Sequence, residues 1–210
     1  MTKRNAKHYA EWIASSGRKC YEDDHAVRPV LFFIDNENRV VFMHPGPRVE
    51  DLHPTDAYAE IVYRIGKVHP WRYIGTCTEA WSQEKPASEE EMARERIDTP
   101  PNWERGTLQK LAEAGDTSVS TTVLVMVVDL KNRLGGCTIM SKVLKEEPVE
   151  WDILTTEGDA QGAMVDLIRD AYEQAPEPPE EMPRVPLAMI AEILDISQLA
   201  YGATAGMVGV

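Results

Sequence analysis

Two short apolar runs, Val30–Ile34 (VLFFI) and Val123–Val128 (VLVMVV), close on one shared pattern, D-x-x-N-R. It falls at Asp35, Asn38 and Arg39 and again, 94 residues later, at Asp129, Asn132 and Arg133. The runs are rich in β-branched and aromatic residues, and they end in Asp and Asn, whose side chains bond to their own backbone; that combination marks strands entering turns. Another apolar run follows each turn, Val40–Met43 after the first and Leu134–Val143 after the second. The chain is therefore expected to form two β-hairpins, with Thr121–Val128 its most strand-like segment. A duplicated β-β-α unit would leave such an echo. Two hairpins meeting one turn problem with common turn residues is the simpler account.

Helical spacing appears between and around the hairpins. Tyr9, Trp12 and Ile13 share one face of a short helix that is expected to stop near Gly17. Pro54 and Thr55 open a second helix with Ala57, Tyr58, Ile61, Val62 and Ile65 on one face, ending at Gly66. Ala163, Met164, Leu167, Ile168 and Ala171 mark a third from about Asp159 to Glu173. Trp71–Trp81 reads as a central strand and Trp151–Leu154 as a short one. Residues 84–116 form a polar insertion with a capping-box pattern at Ser88 and Glu91. The expected class is α+β: a mostly antiparallel sheet built from two hairpins plus the central strand, with helices packed on one face. This domain would span residues 1–174, followed by a Pro/Glu-rich linker at 175–186 and, over 187–210, an apolar helix Leu187–Tyr201 with a Gly-containing tail.

Charge narrows the function classes. The net charge of −13 is uneven: residues 1–83 hold 11 basic and 11 acidic side chains, whereas residues 84–210 hold 11 and 24. An acidic surface repels phosphate backbones, so nucleic acid is disfavoured as a partner. The apolar runs are far shorter than the roughly 20 residues that cross a bilayer, and no apolar stretch follows the basic start, so neither a membrane span nor a secretory signal is expected. Cys20, Cys77 and Cys137 are odd in number and widely spaced, which suits a reducing cytoplasm.

Three of the five histidines precede proline, at His44, His53 and His69. Proline biases the preceding residue towards an extended backbone, which would present each imidazole from the end of an element. His44 and His53 with Asp51 could then supply a nitrogen and oxygen metal site able to activate water. On the strand Trp71–Trp81, alternation places Glu79 beside Tyr73, Cys77 and Trp81, where a buried carboxylate could act as acid or base. Ile190–Leu199 resembles the first helix and turn of a helix-turn-helix. The segment where its recognition helix would fall, Gln198–Val208, contains no Lys or Arg, so DNA reading is not expected. No phosphate loop and no nucleophile elbow is present, and no cofactor is assigned. The leading expectation is a non-catalytic interaction or regulatory protein, engaging a protein partner or a second copy through the C-terminal helix. The competing one is a small metal-assisted hydrolase built on His44, Asp51, His53 and Glu79.

Overall fold

The computed structural model describes residues 4–44, 54–83, 114, 119–158, 163–177 and 204–209. Within them the order is α1 (Ala6–Asp24), β1 (Val30–Asp35), β2 (Arg39–His44), α2 (Pro54–Ile65), β3 (Trp71–Gln83), β4 (Val119–Asp129), β5 (Gly136–Glu146), β6 (Val149–Gly158), α3 (Ala163–Gln174) and β7 (Thr204–Gly209). The class is α+β, as expected. The strands form one seven-stranded sheet in the order β6-β5-β4-β3-β1-β2-β7. Every pairing is antiparallel.

Alternation along each strand makes two apolar faces, and both are covered. Phe32, Ile34, Tyr73, Cys77, Val125, Cys137 and Ile139 pack with the buried stripe of α1, formed by Tyr9, Ala10, Ile13, Ala14 and Tyr21. Leu31, Phe33, Val41, Met43 and Ile74 point the other way, to Tyr58, Ile61 and Val62 of α2 and Ile168 of α3. The expectation that the helices share one face holds for α2 and α3 only. Strands apolar on both sides need a layer on each side, and α1 supplies the second.

The first helix is longer than its sequence suggests. It runs through Gly17 and ends at His25, whose left-handed backbone (φ 50°) lets its N–H bond to Tyr21 O at 2.8 Å. Gly17 is a packing residue instead of a cap. A Cβ there would lie 2.7 Å from Cys77 Sγ and 3.1 Å from a Val123 methyl, so glycine lets α1 settle directly onto β3 and β4. Across the same contact, a Cβ at Gly75 would lie 3.0 Å from Ile13 Cδ1. At its other end α1 is capped by Asn5, whose side chain accepts the His8 N–H.

Two further differences concern the sheet edges. The short strand expected at Trp151–Leu154 is part of the ten-residue β6, paired along its length with β5. The tail expected after the last helix contains β7, with Thr204 opposite His44 and Gly209 opposite Arg39. The strand occupies much of the stretch where a recognition helix would fall. The insertion at 84–116 lies outside the described residues apart from Ala114, as do linker residues 178–186 and the segment Leu187–Tyr201. The start of the linker is held where Glu177 pairs with Lys67 at 2.7 Å.

Candidate functional site

Because α1 leans towards β3, β4 and β5, the β1–β2 part of its own face is left open among the described residues. A groove of about 560 Å³ runs there. One wall is α1, from Trp12 through Gly17 to Asp24; the floor is Val30 and Phe32 of β1, Phe42 of β2 and Cys77 of β3. Phe32 and Phe42 stand opposite each other in the register, and the Trp12 ring meets Phe32 edge-on at 5.8 Å. The far end is closed by the connection Ala26–Arg28 between α1 and β1. Its size falls within the range of small-molecule pockets and its lining is predominantly apolar. Among the described residues, the charged side chains that line it are Asp24 and Arg28, and both lie at the end where α1 stops.

The cysteines in this region differ sharply. Burial, with Cys20 nearby, pushes the Cys77 thiol up to about 12, which removes it as a nucleophile at neutral pH. Cys137 is raised to about 11, chiefly by burial. Cys20 is exposed on the groove lining.

Of the expected site residues, Glu79 lies on β3 on the face of Tyr73 and Cys77, as alternation requires. Its carboxylate accepts the backbone N–H of Val27 at 3.2 Å. That bond ties the α1–β1 connection, and so the closed end of the groove, to the central strand. His44 ends β2 opposite Thr204, while Asp51 and His53 lie outside the described residues. Among the described residues no group of three or more His, Cys, Asp or Glu side chains could hold a metal ion.

His69, the third histidine before proline, sits at the opposite end of the β1–β2 hairpin from His44. It is buried, and its Nε2 lies 3.3 Å from Asp35 Oδ2 while its ring stacks obliquely on Trp71 at 4.5 Å. Its Nδ1 is buried without a hydrogen-bond partner. Asp35 also accepts the backbone N–H groups of Glu37 and Arg39 and the Arg39 Nε–H. Desolvation would raise this carboxyl, but the hydrogen bonds from Arg39, Glu37 and His69 outweigh it and hold it below the usual carboxylate range.

Sequence reasoning missed both the groove and this pair. Trp12, Phe32 and Phe42 read as core residues, and only the lean of α1 leaves them lining a groove. Asp35 and His69 are 34 positions apart, beyond any local spacing rule. Among the described residues no helix is long and apolar enough to cross a membrane. Comparison of the chain with family models, curated proteins and solved structures finds no match.

Proposed function

We propose that this chain is a non-catalytic interaction protein whose sheet edge at β6 receives an extended segment of a basic protein partner. The observation that carries the reading is the exposure of Ile153 (48%) and Leu154 (61%) on opposite faces of a ten-residue edge strand. Ile153 stands opposite Ser141 on the α1 face. Leu154 ends a row with Leu124 and Met140 on the α2–α3 face. Charge and bulges commonly turn added strands away from an edge, and β6 carries acidic residues and a register shift against β5 at Val143–Lys145. A segment of opposite charge would answer that guard, cover both leucine and isoleucine and pair the outward backbone groups. The strand also carries exposed Asp152, together with Glu150 and Glu157 that pair with Lys145 and Lys7 of the same chain, in a protein of net charge −13, which favours a partner segment in which apolar side chains alternate with basic ones.

The test is titration of the full chain with a synthetic ten-residue peptide alternating Lys and Val, followed by hydrogen exchange. Protection should concentrate on β6 and weaken as salt rises. Leu154→Lys should lower affinity about tenfold through repulsion and lost apolar contact. Unchanged β6 exchange would sink the reading, as would equal protection by a peptide with proline at alternate positions. Concentration-dependent dimers that strengthen with salt would assign the edge to a second copy instead. Leu187–Tyr201 is a further proposed contact for a partner or second copy. It cannot be tested by removing everything to Val210, which would also strip β7 from β2.

A further inference from the structure

We propose that the groove beside α1 binds a single-chain amphiphile with a zwitterionic head, its tail on Phe32 and Phe42, its cationic group at Asp24 and its anionic group at Arg28. The tail follows from shape and chemistry. From Trp12 to Asp24 the helical wall is about 18 Å long at 1.5 Å per residue, the scale of an extended lipid tail. From Trp12 to Cys20 the described lining residues carry no charge, while aromatic rings form the wall and floor. A docked protein helix would gain most from polar groups spaced along both rims. Here the charged groups gather at one end, as the head of an amphiphile requires.

The head follows from the charges at that end. Asp24 is the last residue of α1, at the negative pole of the helix, and the final turn holds no basic residue. Glu22 of that turn accepts Trp151 Nε1–H of β6 at 2.8 Å, so Asp24 is the carboxylate on the groove lining. That arrangement attracts a cation. Arg28 is exposed, and neither it nor Asp24 makes an ion pair or side-chain hydrogen bond among the described residues. A purely cationic head would be repelled by Arg28, and a purely anionic head by Asp24 and its acidic neighbours. A head carrying both charges satisfies both residues. The site lies on the β1–β2 part of the sheet and not at the β6 edge, so it stands or falls separately from the partner contact there.

The probe is dodecylphosphocholine below its micelle concentration, added to the full chain and followed by calorimetry and by the alkylation rate of Cys20. Saturating probe should slow Cys20 alkylation about fivefold by covering the thiol. Laurate and dodecyltrimethylammonium, with one head charge each, should bind about tenfold more weakly. Asp24→Asn and Arg28→Gln should each lower affinity for the zwitterion about tenfold, and each should narrow its advantage over one of the singly charged amphiphiles. Ser16→Trp, placed on the groove lining, should abolish binding while the circular dichroism spectrum is retained. Should Ser16→Trp fail to fold, the two head-group variants still decide the matter. Equal affinity for all three amphiphiles, or an unchanged Cys20 rate at saturation, overturns the proposal. So does Cys20 protection that rises with protein concentration and ignores the probe, which would place a second copy in the groove. Sedimentation with phosphatidylcholine vesicles without response to the monomeric probe overturns it as well.

Discussion

The two D-x-x-N-R turns spell the same residues and sit on either side of β3, yet they are held together differently. In both, one aspartate oxygen gathers two backbone N–H groups. Asp35 Oδ1 accepts Glu37 at 2.8 Å and Arg39 at 2.9 Å, and Asp129 Oδ1 accepts Lys131 at 2.9 Å and Asn132 at 3.0 Å. The second oxygen separates them. Asp35 Oδ2 meets Arg39 from its own turn and buried His69 from the α2–β3 connection, whereas Asp129 Oδ2 meets Arg72 from β3 at 2.6 Å. The asparagines part as well: Asn38 is left-handed (φ 63°), while Asn132 is extended and caps a short 3-10 turn at Arg133–Gly135. The likeness is therefore a property of the aspartate, which closes a strand by collecting its own backbone. The rest of the pattern is used according to what lies nearby.

This comparison ranks the consequences of breaking each turn. Asp35→Ala should be the most damaging, at about 3 kcal/mol by chemical denaturation, chiefly because it leaves His69 buried without a partner, and to a lesser extent because the amides of exposed Glu37 and Arg39 lose their acceptor. The Arg39 side chain is half exposed and can turn to water, so it adds little to the loss. A double substitution with His69→Leu tests this assignment. If histidine desolvation is the larger part, Asp35→Ala should cost clearly less in that background than alone; equal costs would move the weight to the backbone donors.

Acid should reach part of the same loss. Asp35 has its folded-state pKa lowered from 3.8, so its contribution is fully present above that value and disappears as pH falls through the depressed folded pKa. Stability measured downward from pH 5 should fall, and Asp35→Asn should flatten that fall. A variant with the wild-type slope would show that other carboxylates govern acid sensitivity.

What was legible in the sequence follows the same division between local and distant causes. The hairpins, α2 and the central strand could be read because alternation, turn residues and a stop at Gly66 are local signals. The length of α1 could not, because Gly17 has the look of a terminator until Cys77 is known to lie beneath it. In β6, Trp151, Ile153 and Leu154 break the alternation that identifies a half-buried strand: Trp151 packs on the α1-side core, while the edge position leaves Ile153 and Leu154 exposed on opposite faces. In β7, Gly206 and Gly209 conceal a strand whose existence depends on the free edge of β2. For the candidate sites, Glu79 was placed on its correct face. The Val27 N–H that holds it, and the groove that this contact helps close, depend on the tertiary path of the α1–β1 connection.

Asp129→Ala should cost less than its counterpart, about 2 kcal/mol, because its amide donors on Lys131 and Asn132 are as exposed as those of Glu37 and Arg39, while the side chain it releases is the partly exposed Arg72 and not a buried histidine. Arg72→Ala should then be informative, since Arg72 of β3 reaches the aspartate of this turn. If the cross-strand pair is what distinguishes the second turn, Arg72→Ala and Asp129→Ala should show a coupling in a double-substitution cycle. Additive costs would reduce the pair to a surface contact.

Gly135→Ala isolates the smallest difference. A Cβ at Gly135 would come within 2.8 Å of Asp129 Oδ2 and 3.0 Å of Asn132 Nδ2, so alanine must push the carboxylate away from Arg72 or shift the short 3-10 turn. Either adjustment should cost about 1 kcal/mol. The cost should shrink when alanine is introduced into Asp129→Ala, because the obstructing carboxylate is gone and Asn132 can move. An undiminished penalty would locate the strain in the 3-10 backbone, leaving the carboxylate geometry irrelevant to the choice of glycine at this position.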